Sequence, residues 1–355
     1  MTHDNTPPCS TSSRSALFTC IAAVALLASS AIAQLTPDRT FYGVDRKIPM
    51  AVNAPNGDAV IKLFNPTDES EVASAPAVDG GVDIASLFPM LWTDKGSEVF
   101  YAQLFVDETP TGAPVVLSPM ISVDKAKIVN PQTLQPVQPG QRGVPKFDSE
   151  FFELRGQGPW QYVYSGLRAY TLKDAVLVTS MGDIRIRLRP DKAPNHALNF
   201  ASLVEGGFYT DIIFHRIMNK FVVQVGDPTG TGSGGPGHQI DLEKSDLPHD
   251  FGVISMARTG DPDSGGSQIF ICLTRRATAQ LDGSYTAFGQ AISGADTIAA
   301  LGSVPVEGQR PIDPPVLKLA YLVDAAPFGT GPNPVTPPQP KEEMADPDAT
   351  PKDDR

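Results

Sequence analysis

Two kinds of apolar patterning divide the chain. From about Phe41 to Ser122, short alternating segments (AVIKLF, EVFYAQLFV, APVVLSPMI) are separated by Asn-Gly, Asp-Gly-Gly and Pro-Thr-Gly turn signals, the pattern of antiparallel strands. No stretch there keeps a 3.6-residue period, so the sequence predicts a small all-β sandwich over 35–128. Residues 130–146, NPQTLQPVQPGQRGVPK, carry Pro and Gly too densely for helix or central strand. With the aromatic stretch that follows (FFELRGQGPWQYVYSGLRAY), they predict a connector over 129–165. The simpler role for those aromatics is to dock the connector onto a flanking domain; the alternative is an exposed contact surface.

Further along, AVLVTSMGDIRIRLRP reads as strand, Met-Gly-Asp turn and strand, in which Ile184, Ile186 and Leu188 alternate with Arg185, Arg187 and Arg189. One face of that hairpin is expected to be buried and the other basic and wet. In APNHALNFASLVEGGFY, Ala197, Phe200, Ala201 and Val204 share one helical face and Gly206-Gly207 end the helix. A hairpin followed by a covering helix is a reasonable start to a closed β-barrel, here over 166–327. Beyond it, 328–355 has Pro and acidic residues but little to bury, and the expectation is a disordered tail.

Composition narrows the function. The 34 prolines in 355 residues are about twice ordinary usage, which agrees with ordered and loop-rich stretches alternating. The net charge of −12 and the lack of a Lys/Arg stripe with interleaved aromatics argue against nucleic-acid binding. At the N-terminus, Arg14, an apolar run from Ala16 to Ala28, and Ala31-Ile32-Ala33 before Gln34 form the layout of a secretory signal peptide over 1–33. The run is too short to span a bilayer, so no stable membrane insertion is expected after cleavage. The destination would be the periplasm, the cell envelope or the extracellular space. Cys9 and Cys20 fall in that leader, which leaves Cys272 alone in the mature chain, a small core residue rather than a nucleophile.

The candidate chemistry lies in three blocks. IIFHRIMNKFVVQVGD is similar to the F-H-R-I…F-x-x-Q-x-G-D signature of cyclophilins. GVISMARTGDPDSGGSQIFICL resembles their G-x-x-S-M-A…G-S-Q-F-F-I segment, and LDGSYTAFGQAISG their L-D-G…F-G-x-V segment. Order and spacing agree over about residues 173–325. The resemblance is to exported, bacterial-like members of the cyclophilin-type peptidyl-prolyl cis/trans isomerases. It implies a mainly β fold: a closed eight-stranded antiparallel barrel with capping helices. It also implies proline-containing polypeptides as folding clients, and no cofactor.

The reaction explains why such residue types suffice. Resonance holds an X-Pro amide planar behind a barrier of roughly 18–20 kcal/mol. Nothing needs to be hydrolysed or covalently trapped; a twisted amide must be stabilised, and a fixed donor near its nitrogen lowers the barrier. By resemblance Arg216 supplies that donor, and Gln224 holds the substrate backbone or braces Arg216. Ala257 and Arg258 give backbone contacts, while Phe221, Val222, Phe270 and Leu281 grip the proline ring and Tyr285 closes the pocket. Taken singly, Phe221, Val222, Phe270 and Leu281 read as barrel core rather than pocket, and Arg216 alone could be a buried structural ion pair; their joint order in the motif reverses that reading. His215, next to Arg216 on an alternating strand, is expected to point to the opposite face as a structural residue.

Departures from the family pattern also carry expectations. Gln280 stands where many cyclophilins have Trp, which removes an aromatic wall and predicts weak or no cyclosporin binding. Tyr285 takes the place of the usual eukaryotic His, Val222 that of Met, and Ile269 that of Phe. Other motifs fail. Gly230-Thr-Gly232-Ser-Gly234-Gly235 matches GxGxxG, but Pro236-Gly237 follow where a helix must start. Asp261-Pro-Asp263-Ser-Gly265 begins like a calcium loop, yet Cys272 stands where its Glu is needed, so no metal is expected. His196, His238 and His249 lack HxH or HExxH spacing, and no GxSxG is present. Two rival functions remain: a non-catalytic proline-peptide binding module, and an envelope chaperone acting through the N-terminal β domain.

Overall fold

The computed structural model describes residues 33–339 except 55–57, 94–97, 126, 134, 138–141, 147–153 and 156–159. All of the expected leader but Ala33 lies outside the described residues, as do 340–355.

The first module places two antiparallel sheets on one core. The smaller joins Gln34–Pro37, Pro49–Asn53 and Val82–Asp83. The larger runs Leu154–Arg155, Trp160–Thr171, Thr109–Lys125, Phe100–Val106, Ala59–Asn65, Ser70–Ala77, with Phe41–Gly43 also paired to Trp160–Thr171. Leu35, Met50 and Val52 of the small sheet share a buried cluster with Ile61, Leu63, Leu104, Val115 and Leu117 of the large one. In Ala59–Asn65 burial alternates from Ala59 to Leu63, as a two-residue period requires. The expectation of strands alone missed two one-turn helices, Ile84–Leu87 and Met90–Thr93, which are too short for a helical period to be visible.

The expected domain boundary at 166 falls inside a strand. Trp160–Thr171 pairs with Thr109–Lys125 from Trp160↔Lys125 to Thr171↔Val115, and Tyr164, Leu167 and Ala169 are buried in the first core. Proline density ends at Pro159, and the alternating aromatics after it complete the first sheet. Gly166 marks an irregularity in this ladder: its φ is +143°, and a Cβ there would sit 2.0 Å from the Tyr42 carbonyl oxygen. Only glycine permits that approach. Within the expected connector, Lys127–Val129 and Val144–Lys146 pair with each other.

The second module is a curled sheet of nine strands in the order Ile212–Ile213, Val316–Asp324, Lys173–Thr179, Gly182–Leu188, Ala287–Ser293, Val253–Met256, Ile269–Cys272, Val222–Val225, Arg216–Met218. A closed eight-stranded barrel was expected. Instead the F-H-R segment is broken at Phe214-His215 into two short strands that sit at opposite ends of the sheet. The two edges are therefore joined by the covalent chain, not by a ladder. Helix Pro194–Glu205 lays Ala197, Phe200 and Val204 on the core, and Ala295–Leu301 adds Ile298 and Leu301. Ile184, Ile186 and Leu188 are buried, whereas the opposite face is not simply basic and wet. Arg185 and Arg187 lie 3.0 and 3.8 Å from the buried carboxylate of Asp174, and Arg189 2.6 Å from Asp191. A charge buried beneath a sheet requires such partners.

The modules meet along a mixed seam. Tyr101, Ala113, Val116, Leu172 and Ala325 form one apolar cluster, with Phe328 packed on it. The Phe328 ring lies 5.0 Å from Phe64 and 5.4 Å, edge-on, from Tyr101. Its amide donates to Gln103 Oε1 (2.8 Å), and the Tyr101 hydroxyl donates to Asp191 (3.1 Å). The expectation of a disordered tail from 328 is thus corrected as far as 339: the Val335 amide donates to the Ala291 carbonyl (2.9 Å). Two scattered apolar residues, Phe328 and Val335, anchor a segment whose composition suggested none.

Candidate active site

The site is built on the outer face of strands whose inner face is core. In Val222–Val225 and Ile269–Cys272, paired Val222↔Cys272 and Gln224↔Phe270, Val223, Val225, Ile269 and Ile271 enter the main core. Alternation sends Val222, Phe270 and Cys272 the other way, into a separate apolar cluster with Leu247, Val253 and Ala287. Phe221, Ala257, Leu281 and Tyr285 are half-buried at its rim. A cavity of about 500 Å³ opens there, lined by all nine residues singled out from the sequence: Arg216, Phe221, Val222, Gln224, Ala257, Arg258, Phe270, Leu281 and Tyr285. Apolar walls with a few convergent polar groups are the usual form of a small-ligand site.

Arg216 is held on three sides. It faces Gln224 across the ladder; its Nη1 donates to Gln224 Oε1 (3.1 Å), its Nε to Gln309 Oε1 (2.6 Å), and its Nη2 lies 3.0 Å from Met218 Sδ. Gln224 Nε2 donates in turn to Gln268 Oε1 (2.8 Å), and Gln268 Nε2 to the carbonyls of Gly232 and Gly234 (3.0 and 2.9 Å). A guanidinium locked into such a chain loses little freedom when a ligand arrives. The Gly-rich loop at the end of the chain is itself pinned by Asp227. That carboxylate accepts from the Thr229 amide and hydroxyl (2.7 Å each) and from the Gly232 amide. Burial alone would raise its pKa; the Thr229 hydroxyl and the loop amides outweigh it and hold the carboxyl well below the usual range.

The apolar wall has its own support. Phe270 meets Tyr285 edge-on (5.7 Å) and stacks on His249 (6.0 Å, 16°). His249 is buried, with Nδ1 2.8 Å from Asp282 Oδ1 and Nε2 3.0 Å from Ser255 Oγ. These partners assign the proton to Nδ1 in a neutral ring. Asp282 follows Leu281 and also binds Arg275 (2.7 Å), so the loop bearing Leu281 is tied beneath Phe270. Arg258 lies over the Tyr285 ring (4.6 Å) and donates to the carbonyls of Ser284 and Thr259; its side chain, not only its backbone, shapes the rim.

His215 departs from expectation. It lines the cavity beside Arg216, because the break at Phe214-His215 interrupts the strand alternation that would have turned it away. Its ring is largely buried, and that burial lowers its pKa, outweighing Asp227 and Gln268, which act to raise it. Glu307, Gln309 and Arg310, on the hairpin joining Val306–Glu307 to Arg310–Pro311, also line the cavity and were missed. Gln309 lies 93 residues from Arg216, and nothing local marks it. Gln268 was missed as a brace although it stands inside the G-S-Q motif. Among the described residues no group of three His, Cys, Asp or Glu side chains is placed to hold a metal, and no helix is long and apolar enough to cross a membrane.

The family model for cyclophilin type peptidyl-prolyl cis-trans isomerases matches residues 175–320. The peptidyl-prolyl cis-trans isomerase-like 1 of Emericella nidulans is 42% identical over 158 residues, 43% of this chain and 96% of that protein. The isomerase-like 2 of Rhizopus delemar is 45% identical over 143 residues, 39% of this chain, but the match spans only 26% of that longer relative. Among solved structures, a cyclophilin type isomerase of Cryptosporidium parvum, crystallised in the presence of the dipeptide Ala-Pro, is 34% identical over 43% of this chain and 99% of its own, with a TM-score of 0.41. With nearly the whole of the Emericella protein matched, the chain belongs, through its second module, to the cyclophilin-type peptidyl-prolyl cis-trans isomerases.

Proposed function

We propose that this protein accelerates cis/trans isomerisation of X-Pro bonds in exported polypeptides, without covalent chemistry or a cofactor. The observation that carries the proposal is the placement of Arg216: a guanidinium fixed by Gln224 and Gln309 at the edge of an apolar cavity. The proline ring enters between Phe221, Val222, Phe270 and Leu281 and leaves bulk water. Arg216 then donates toward the prolyl nitrogen or its neighbouring carbonyl, an interaction stronger for the twisted amide than for the planar one. Gln224 presents Arg216 and can also bind substrate backbone, while Ala257, Arg258 and Tyr285 border the exit.

Export rests on the leader pattern at 1–33, and the bacterial-like character on Tyr285. Gln280, whose side chain donates to the Ala277 carbonyl (3.2 Å), supplies no aromatic wall, so weak cyclosporin binding is part of the proposal. The first module is proposed to be a sandwich-like unit that engages clients or an envelope partner.

The test is conversion of an unstructured Ala-Pro-containing tetrapeptide, followed by exchange NMR with the full chain and with Arg216→Ala, after both are verified as folded. Acceleration is expected, with a loss of at least roughly tenfold in the variant, the effect of about 1.4 kcal/mol on a barrier. If proline peptides bind but neither protein accelerates conversion, the domain is a binding module. If the full chain suppresses aggregation of unfolded clients without isomerising them, the chaperone alternative takes its place.

A further inference from the structure

Three guanidiniums on three different elements ring the cavity: Arg216 on Arg216–Met218, Arg258 after Val253–Met256, and Arg310 on the 306–311 hairpin. Among the described residues every hydrogen bond they make goes to a neutral group. Arg216 reaches Gln224, Gln309 and Met218; Arg258 the carbonyls of Ser284 and Thr259; Arg310 the carbonyl of Gly230 (2.8 Å). None of the three has an ion pair among the described residues, whereas Arg185, Arg187, Arg189 and Arg275 of the same module each lie within 3.8 Å of a carboxylate. Among the described residues the one carboxylate lining the cavity is Glu307. Asp227, nearby, spends its oxygens on Thr229, Thr231 and the Gly232 amide.

The cavity thus carries a local positive excess inside a chain of net charge −12. Screening over roughly 8–10 Å at physiological salt removes most of the distant negative charge from a ligand's view. What a bound peptide meets is the nearby arginines, two of which, Arg258 and Arg310, are not needed to polarise the amide. From these observations we propose that the site prefers X-Pro segments carrying a carboxylate side chain next to the proline, with Arg258 and Arg310 as the residues that select it. This proposal rests on the isomerase reading of the site and specifies its substrate class.

The test compares catalysed conversion of Ala-Glu-Pro-Phe, Ala-Gln-Pro-Phe and Ala-Lys-Pro-Phe, and of Ala-Ala-Pro-Glu against Ala-Ala-Pro-Gln, each as kcat/KM over its own uncatalysed rate. At low salt a Glu-to-Gln ratio of about threefold or more is expected in at least one pair, the size of a partly exposed charge pair, with the Lys peptide poorest. The ratio should fall toward one in about 0.5 M NaCl and in Arg258→Gln or Arg310→Gln, the variants' folding being verified by melting. Equal turnover of acidic and neutral peptides overturns the charge preference and leaves the isomerase reading intact. If no peptide is turned over, the isomerase reading fails, and the ratio of the Glu and Gln peptides' Kd values decides the charge preference: equal values overturn it, tighter Glu binding retains it for a binding module.

Discussion

Arg216 takes its direction from Gln309 as much as from Gln224, which makes Gln309 a positioning residue. Gln309→Leu removes the acceptor of the Arg216 Nε without touching the apolar walls. The expected outcome is a kcat lowered several-fold with KM little changed, since ground-state binding in the pocket is kept; a rise in KM alone would place Gln309 in ground-state binding instead. Titration gives a second residue-scale prediction. His249 and His215 both have pKa values lowered first by burial. The unfolded chain therefore takes up a proton before the folded one does. The stability they contribute is complete above an unfolded pKa of about 6.5 and is lost as pH falls below it. Melting temperature should drop from pH 7 toward pH 5, with up to about 1.4 kcal/mol lost per pH unit per histidine. In His249→Gln the slope should be shallower; an unchanged slope would assign the effect elsewhere. Of these residues, Arg216 and Gln224 were legible because they lie eight apart in one motif. The His249–Asp282 pair and Gln309 were not, since no local pattern announces a contact made 33 or 93 residues away.

Strands were read more reliably than their partners. The period-two alternation of Ile184, Ile186 and Leu188 gave the buried face of its hairpin directly. The same rule failed at His215, because alternation holds only while a strand continues, and this one breaks at Phe214-His215. It also could not show that Arg185 and Arg187 share Asp174, one strand away. The strand Trp160–Thr171 was hidden for a different reason: it follows a Pro/Gly-rich stretch, and its partner lies at Thr109–Lys125. Cutting the chain at 166 would leave Gly166–Thr171 without their ladder. A cut at Leu172 that keeps Phe328 to Val335 respects the elements, and the arrangement of the Arg216 chain gives no reason for turnover to depend on the first module. The expected result is that such a piece, once shown to fold, retains tetrapeptide activity within a few-fold of the full chain.

At the scale of the whole molecule, one ring bridges the seam between modules alongside the Tyr101 cluster and the Tyr101–Asp191 bond. Phe328 touches Phe64 and Tyr101, and its amide is held by Gln103. Phe328→Ala is expected to weaken the seam by about 2 kcal/mol and to split a single calorimetric transition into two; a melt indistinguishable from the parent would mean the modules are held by other contacts. This coupling was invisible in the sequence, where Phe328 looks like the last apolar residue before a polar tail. Its place in the chain also sets the order of events during synthesis. Domains emerging from the ribosome fold N-terminal first, so the first module can complete its two sheets, with Tyr101 against Ala113 and Val116, before Phe328 is available. The Phe328 ring joins Phe64 and Tyr101 only after residue 328 has been made, and a product that stops short of it carries a first module whose seam lacks that cover.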